Sequence, residues 1–204
     1  MQVIKINEIE EDYIKSLVFK EDRKNFEKAI DNIIFNELIT LDKKEVLEKS
    51  LSVLDLTSLN NTDNRQSLEN LITQSTFLIN NNEKHVAGLC TFSNLLPLLN
   101  SIKTNKDIKS VVVSGGFPTG QMSLEAKEKD VEFAINNGAD EIDIPINRGL
   151  FFEDRKGLEK ELKTIKSIVN QKDNVKLKVS LETGELEKLQ DVYSASMLAM
   201  ECGA

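Results

Sequence analysis

The chain has 204 residues and a formal net charge of −8 from 26 basic and 34 acidic side chains. That length suffices for one domain with a sizeable core, and the negative balance argues against a nucleic-acid or anionic-membrane partner. No run of ~20 apolar residues suggests a membrane span, the acidic stretch 1–13 lacks a signal peptide's apolar centre, and two distant cysteines, Cys90 and Cys202, have no metal-ligand spacing. A reduced, cytoplasmic setting is expected.

Residues 1–50 read as a helical extension. Phe26, Ala29, Ile30, Ile33 and Ile34 share one helical face, and Thr40 is placed to cap a further helix through Val46, Leu47 and Leu51. An apolar plug on the floor of the following domain is the simpler expectation; a dimerisation element is the alternative.

From residue 51 to 204 the pattern becomes strand, turn, helix, repeated. A strand is predicted over 53–57 and a helix over 63–80, capped by Asp63, with Leu68, Leu71, Ile72 and Leu78 buried. A second strand over 85–90 leads into a short helical segment, 93–103, with Pro97 early, where a helix tolerates it. A third, 110–115, runs into Gly115-Gly-Phe-Pro-Thr-Gly120 and a helix over 123–137. The fourth strand, 140–146, precedes a helix over 154–170. The fifth, 176–181, precedes a helix over 185–202 that Gly203 would end.

Three of these strands alternate. Ile142, Ile144 and Ile146 oppose Glu141, Asp143 and Asn147; Leu177, Val179 and Leu181 oppose Lys176, Lys178, Ser180 and Glu182; Leu54 and Leu56 oppose Asp55 and Thr57. Side chains alternate across a strand, so each carries one apolar and one ionisable face. In an open doubly wound sheet helices cover both faces and strands read as continuous apolar runs. A barrel instead packs the outward parity on helices and gathers polar side chains inside, near the strands' C-terminal ends. The expected fold is therefore α/β, of the (β/α)8 barrel class, with about five βα units in this chain. Half-exposed strands with one wet face remain the structural alternative.

Asp143 is the first candidate: a carboxylate near the C-terminal rim is placed for acid/base work or a proton relay. The competing reading is a structural acid paired with Lys178 on the adjacent strand, since buried charges are seldom left unpaired. Lys178 has two readings of its own, a Schiff-base nucleophile or simply the partner of Asp143. Cys90 is expected to line the site rather than attack, because His85 begins the same strand and lies ~16 Å away along it. The glycine-rich stretch 115–120 lacks the lysine of a P-loop and reads as a tight turn.

Taken together, Leu54-Asp-Leu-Thr-Ser-Leu59, Val86-Ala-Gly-Leu-Cys-Thr-Phe92, Gly116-Phe-Pro-Thr-Gly120, Gly138-Ala-Asp-Glu-Ile-Asp143 with Asn147, and Leu177-Lys-Val-Ser-Leu-Glu-Thr-Gly-Glu-Leu186 resemble the deoxyribose-phosphate aldolase family, over about three-quarters of the chain. The resemblance implies a class I aldolase that reversibly cleaves 2-deoxyribose 5-phosphate into acetaldehyde and glyceraldehyde 3-phosphate in deoxyribose catabolism. It implies a Schiff base and no metal or organic cofactor. It assigns Asp143 to the proton relay, makes Lys178 a site lysine distinct from the imine former, and puts Asp55 and Cys90 in the substrate pocket. A small phosphorylated sugar is the implied partner, with a homodimer as the implied assembly. The family's imine-forming lysine follows the Gly-Ala that here is Gly203-Ala204, so the 204-residue polypeptide is expected to be inactive alone, its strands six to eight lying beyond it. A non-catalytic homologue that binds a sugar or another subunit is the alternative.

Overall fold

The computed structural model describes residues 23–37, 42–79 and 82–204. In chain order these form α1 (Arg23–Glu37), α2 (Lys43–Leu51), β1 (Asp55–Thr57), α3 (Arg65–Thr73), β2 (Thr76–Ile79), β3 (Asn82–His85), β4 (Gly88–Phe92), α4 (Leu96–Ile102), β5 (Lys109–Val113), α5 (Leu124–Asn136), β6 (Glu141–Pro145), α6 (Arg148–Glu153), α7 (Arg155–Val169), β7 (Lys176–Ser180) and α8 (Leu189–Glu201). Single 3-10 turns at Ser93–Leu95 and Thr183–Glu185 follow β4 and β7.

Five strands make one sheet in the order β1-β4-β5-β6-β7, with every pairing parallel. The sheet order follows the chain order, as in a βα barrel, and the helices return the chain between neighbours. The sheet is strongly curled. In a flat sheet the first and fifth strands would stand roughly 19 Å apart, four inter-strand spacings. Yet the Lys178 ammonium on β7 contacts the Asp55 carboxylate on β1. The two edge strands therefore face each other across a concave interior, and the expected barrel-class fold is the one found.

The convex parity carries the core. Ile142, Ile144 and Leu177 join Val112 and the inward faces of α5, α7 and α8 in one cluster built on Val131, Ala134, Leu158, Leu162, Ile165 and Ala195. A second cluster packs Leu89 and Leu56 against Leu68, Leu71 and Leu99. Across the α5–α7 seam a buried ion pair joins Lys127 Nζ to Glu161 Oε1 at 2.5 Å.

Local signals fix most boundaries. Ser123 caps α5 by accepting from the Ala126 amide, and Asp154 caps α7 by accepting from Gly157 at 3.0 Å. Asn64, rather than the expected Asp63, caps α3 in a reciprocal capping box with Ser67. Pro145 sits where β6 has outrun β5, whose ladder ends at Val113 opposite Asp143. The next amide, Ile146, donates to Ser180 on β7. The missing proline N–H would have pointed toward the vacated β5 side, so no ladder bond is lost.

Four expectations are corrected. The helix predicted over 63–80 stops at Thr73, and β2 pairs antiparallel with β3 as a separate hairpin, so Leu78 is 79% exposed rather than buried. The strand predicted from residue 53 begins at Asp55, leaving Val53 and Leu54 exposed. The strand predicted over 85–90 begins only at Gly88, with His85 closing β3 instead, and a short helix, α6, fills the unassigned stretch 148–153. In the extension, Ile30, Ile34, Val46 and Leu47 are exposed, not plugged into the barrel. The side chains of Phe26 and Ile33, and the predicted cap Thr40, lie outside the described residues. What ties α2 to the rest is an ion pair from Glu48 to Lys84 on β3, at 3.5 Å, and packing of Leu51 against the second cluster.

Candidate active site

The concave parity has a different character. Its apolar content is a small cluster of Cys90, Val111 and Val113, flanked by Leu59 and Phe92. Around that cluster stand Asp55 from β1, Glu141 and Asp143 from β6, and Lys178 and Ser180 from β7. Their convergence follows from register. Glu141 aligns with Val111, which aligns with Cys90, which aligns with Thr57; one layer higher, Lys178 aligns with Asp143, then Val113, then Phe92. Residues two apart on a strand share a face, so the two acids Glu141 and Asp143 of β6 and a lysine at the level of Asp143 on β7 all enter the same space.

The ion pairs inside that space differ from expectation. Asp143 and Lys178 are register neighbours, yet the ammonium does not bond Asp143. Lys178 Nζ sits 2.5 Å from Glu141 Oε2 and also contacts Asp55 Oδ2. Asp143 accepts instead from the Ser180 hydroxyl at 2.8 Å. Lys178 as the direct partner of Asp143 is thus corrected: the lysine turns one layer back and across the concave face, where two carboxylates offer more than one.

Burial pushes the Asp143 carboxyl above its usual range, and the hydrogen bond from Ser180 with the nearby Lys178 charge offsets only part of that rise. Lys178 moves upward as well. Burial alone would lower it, but the hydrogen bonds to Asp55 and Glu141 outweigh burial and keep the amine charged. Cys90, buried beside Asp143 and Asp55, is pushed up to about 12, first by burial and then by those two carboxylates. A thiol held in that state is a poor nucleophile at neutral pH. His85 belongs to the β2–β3 hairpin, its Nδ1 2.8 Å from the Val86 carbonyl oxygen, away from β4 and from Cys90.

The rim above these residues is braced from behind. Asp130 on α5 accepts from Ser93 Oγ at 2.6 Å, from Ser114 Oγ at 2.7 Å and from the Gly115 amide at 2.9 Å. One carboxylate thereby joins the ends of β4 and β5. The 115–120 stretch is a tight turn, as expected. Gly120 has φ +67°, and a Cβ there would lie 2.8 Å from the Pro145 carbonyl oxygen, so the turn presses directly on the end of β6.

Asp55, Cys90, Asp143 and Lys178, all named from the sequence, meet on one face. Glu141 and Ser180 were on the correct parity but were not singled out. Asp130 gave no signal, being one acid among several on its helix. Among the described residues no group of three or more His, Cys, Asp or Glu side chains is arranged to hold a metal ion. A depression on the outer surface of α7, lined by Lys156, Glu159, Lys160, Lys163, Thr164 and Ser167, is widely open and remote from the acids. The concave face is the better candidate, because there several part-buried acids converge on one lysine, whereas the Glu159–Lys163 pair lining the depression on α7 is exposed.

Known proteins resemble this chain in sequence and in fold. Deoxyribose-phosphate aldolases of Bos taurus and Homo sapiens are each 30% identical to the chain over 171 and 173 residues, covering 78% of it and 53% of themselves. A Caenorhabditis elegans protein whose name for the same enzyme is provisional is 32% identical over 174 residues, covering 82% of the chain and 56% of itself. The chain spans a little over half the length of these curated relatives. Among solved structures, an aldolase designated QR15 superposes with TM-score 0.65 at 26% identity, covering 76% of this chain and 64% of its own. The tetrameric deoxyribose phosphate aldolase of Aeropyrum pernix gives TM-score 0.65 at 20% identity, over 77% of this chain and 62% of its own, and so attests the fold. No family model matches the chain.

Proposed function

The chain belongs to the deoxyribose-phosphate aldolase family, and on that basis we propose that its concave face is the acid/base half of an imine-forming aldolase site. The observation that carries the reading is the division of labour around Lys178. One carboxylate, Asp143, is left without an ion pair and with its pKa raised, while two others hold the cation. A carboxyl poised nearer neutrality takes and returns protons more readily than one locked in a salt bridge.

Asp143 moves the proton during carbon–carbon cleavage and during hydration or release at the imine carbon. Lys178 stays an ammonium and stabilises negative charge that develops near it. As an ammonium it has no lone pair for attack on a carbonyl, which speaks against Lys178 as the imine former. Asp55 fixes the lysine from the opposite edge and, with Cys90 and Thr57, lines the pocket floor. The proposed reaction is reversible cleavage of 2-deoxyribose 5-phosphate to acetaldehyde and glyceraldehyde 3-phosphate, in deoxyribose catabolism in the cytoplasm, by a homo-oligomer. It requires no metal or organic cofactor.

The test is a chimaera in which residues 51–204 replace the matching part of the human relative's barrel. Cleavage of 2-deoxyribose 5-phosphate that falls about a hundredfold or more on Asp143→Asn supports the acid/base role. Turnover indifferent to Asp143 overturns it. In parallel, the 204-residue polypeptide is treated with acetaldehyde and borohydride. Lys178 is expected to emerge unmodified; a reduced ethyl adduct on Lys178 would reassign the imine to it.

A further inference from the structure

The geometry points to Glu141 as a positioning residue: with Asp55 it takes the Lys178 ammonium, keeps that cation off Asp143, and so leaves the Asp143 carboxyl free to exchange a proton. This inference deepens the reading of Asp143 as the acid/base group and rests on it.

One contact that the strand register invites is not made. Opposite charges side by side on neighbouring strands of one sheet normally pair. Asp143 and Lys178 are such neighbours, aligned in register on β6 and β7. To reach Glu141 the lysine must instead bend back by two residues of strand rise, roughly 6.6 Å. It does so, and Glu141 Oε2 lies 2.5 Å from its Nζ. Glu141 is also the more sheltered of the two holders: its side chain is 16% exposed, against 27% for Asp55. A less exposed pair is less screened, so Glu141 is a firm second anchor beside Asp55, which also contacts the ammonium.

The ionisable groups facing Asp143 are few. Asp55 comes from β1, Cys90 from β4, Glu141 from its own strand, and Lys178 from β7, while β5 contributes Val111 and Val113. Cys90 is a neutral thiol. Among the described residues Lys178 is the cation that acts on Asp143, Arg148 just past β6 being paired with Glu182, so the position of Lys178 decides whether Asp143 is salt-bridged. With Glu141 removed, one holder is lost and the lysine's register neighbour becomes its natural second acceptor. An opposite charge brought into contact favours the ionised carboxylate. Asp143 would then be a weaker proton carrier.

The experiment uses the 204-residue chain with aspartate side-chain carboxyls labelled with carbon-13, the Asp143 signal being assigned by its loss in Asp143→Asn. Titration by NMR is expected to place the Asp143 midpoint lower in Glu141→Gln than in the wild type, by roughly one unit or more. Removing a nearby negative charge would by itself cause some drop, so the same substitution is repeated in a Lys178→Met background. There the drop is expected to shrink to a minor part of its former size. An equal drop in both backgrounds, or none in a Glu141→Gln protein whose amide spectrum remains native-like, overturns the positioning role. Should Glu141→Gln fail to fold, Glu141→Asp withdraws the carboxylate by one methylene and is read by the same criterion, with a smaller drop. These measurements need no turnover. Failure of the acid/base reading itself would show only in the chimaera's indifference to Asp143.

Discussion

The two faces of one curled sheet behave as different materials. On the convex face, Leu158, Leu162, Ile165 and Ile142 are fully or almost fully excluded from water and pack side chain against side chain. Even the charges there, Lys127 and Glu161, satisfy each other in burial. On the concave face three buried apolar side chains are outnumbered by half-buried acids, a lysine and hydroxyls. Successive residues of the same strand serve both faces, so the contrast is a matter of parity alone. It teaches that this fold concentrates its packed core on one side and gathers ionisable groups on the other.

The contrast is broken most severely from the convex side. Lys127→Ala is expected to lower the unfolding free energy by about 3–5 kcal/mol, because it strands Glu161 without a counter-charge in the helix layer; urea denaturation reads this directly. An intermediate effect is expected from Gly88→Ala on the concave side. A Cβ there would lie 2.6 Å from Asp55 Oδ1 and 2.7 Å from Val111 Cγ2. About 1–3 kcal/mol of overpacking follows, together with displacement of Asp55 that the Lys178 side-chain resonances would report.

Asp143→Asn should go the other way. Burial raises the folded-state pKa of Asp143 above its unfolded value of about 3.9. The fold therefore favours the protonated acid. Its contribution to stability is complete below the unfolded value and is lost as pH rises through the folded one. The variant, which keeps no titrating group, is expected to match the wild type at low pH and to equal or exceed it at neutral pH. A wild type that instead gains on the variant as pH rises through that window would show that the concave face is built for stability after all.

The smallest perturbation is chemical. With its pKa raised from 9.0 to about 12, Cys90 should be alkylated by iodoacetamide at mildly alkaline pH roughly a thousandfold more slowly than an unperturbed thiol. Mass spectrometry of the labelled peptide checks this, and labelling at the unperturbed rate would mean that the pocket floor is wetter and less negative than described.

How far the sequence reveals this molecule depends on which rule speaks at each place. Period-two alternation in 140–146 and 176–181 identified both faces, since parity survives any curvature. The stretch 74–85 misled because Thr76-Phe-Leu-Ile extends a helical apolar pattern as readily as it begins a strand. The three asparagines at 80–82 were the available turn signal. Asp55 and Lys178 were each legible as inward residues, but their contact was not, because it depends on how tightly five strands curl. Lys178 turning to Glu141 rather than Asp143 was illegible for a related reason. Register makes two residues neighbours, whereas the path of a flexible four-carbon side chain is decided by competition among all the acids within its reach. Asp130 could not be found at all, since its meaning comes from loops that converge on it only in three dimensions.

The bond between the two edge strands has one more effect. It spans the arc of the sheet as a chord spans a bow, and the length of a chord fixes the radius. The width of the cleft is thus coupled to the charges of Lys178 and Asp55. A guest that disturbed Lys178 would alter the shape of its own container, and added salt, by weakening the tie, would be expected to relax the opening as well as dim its field.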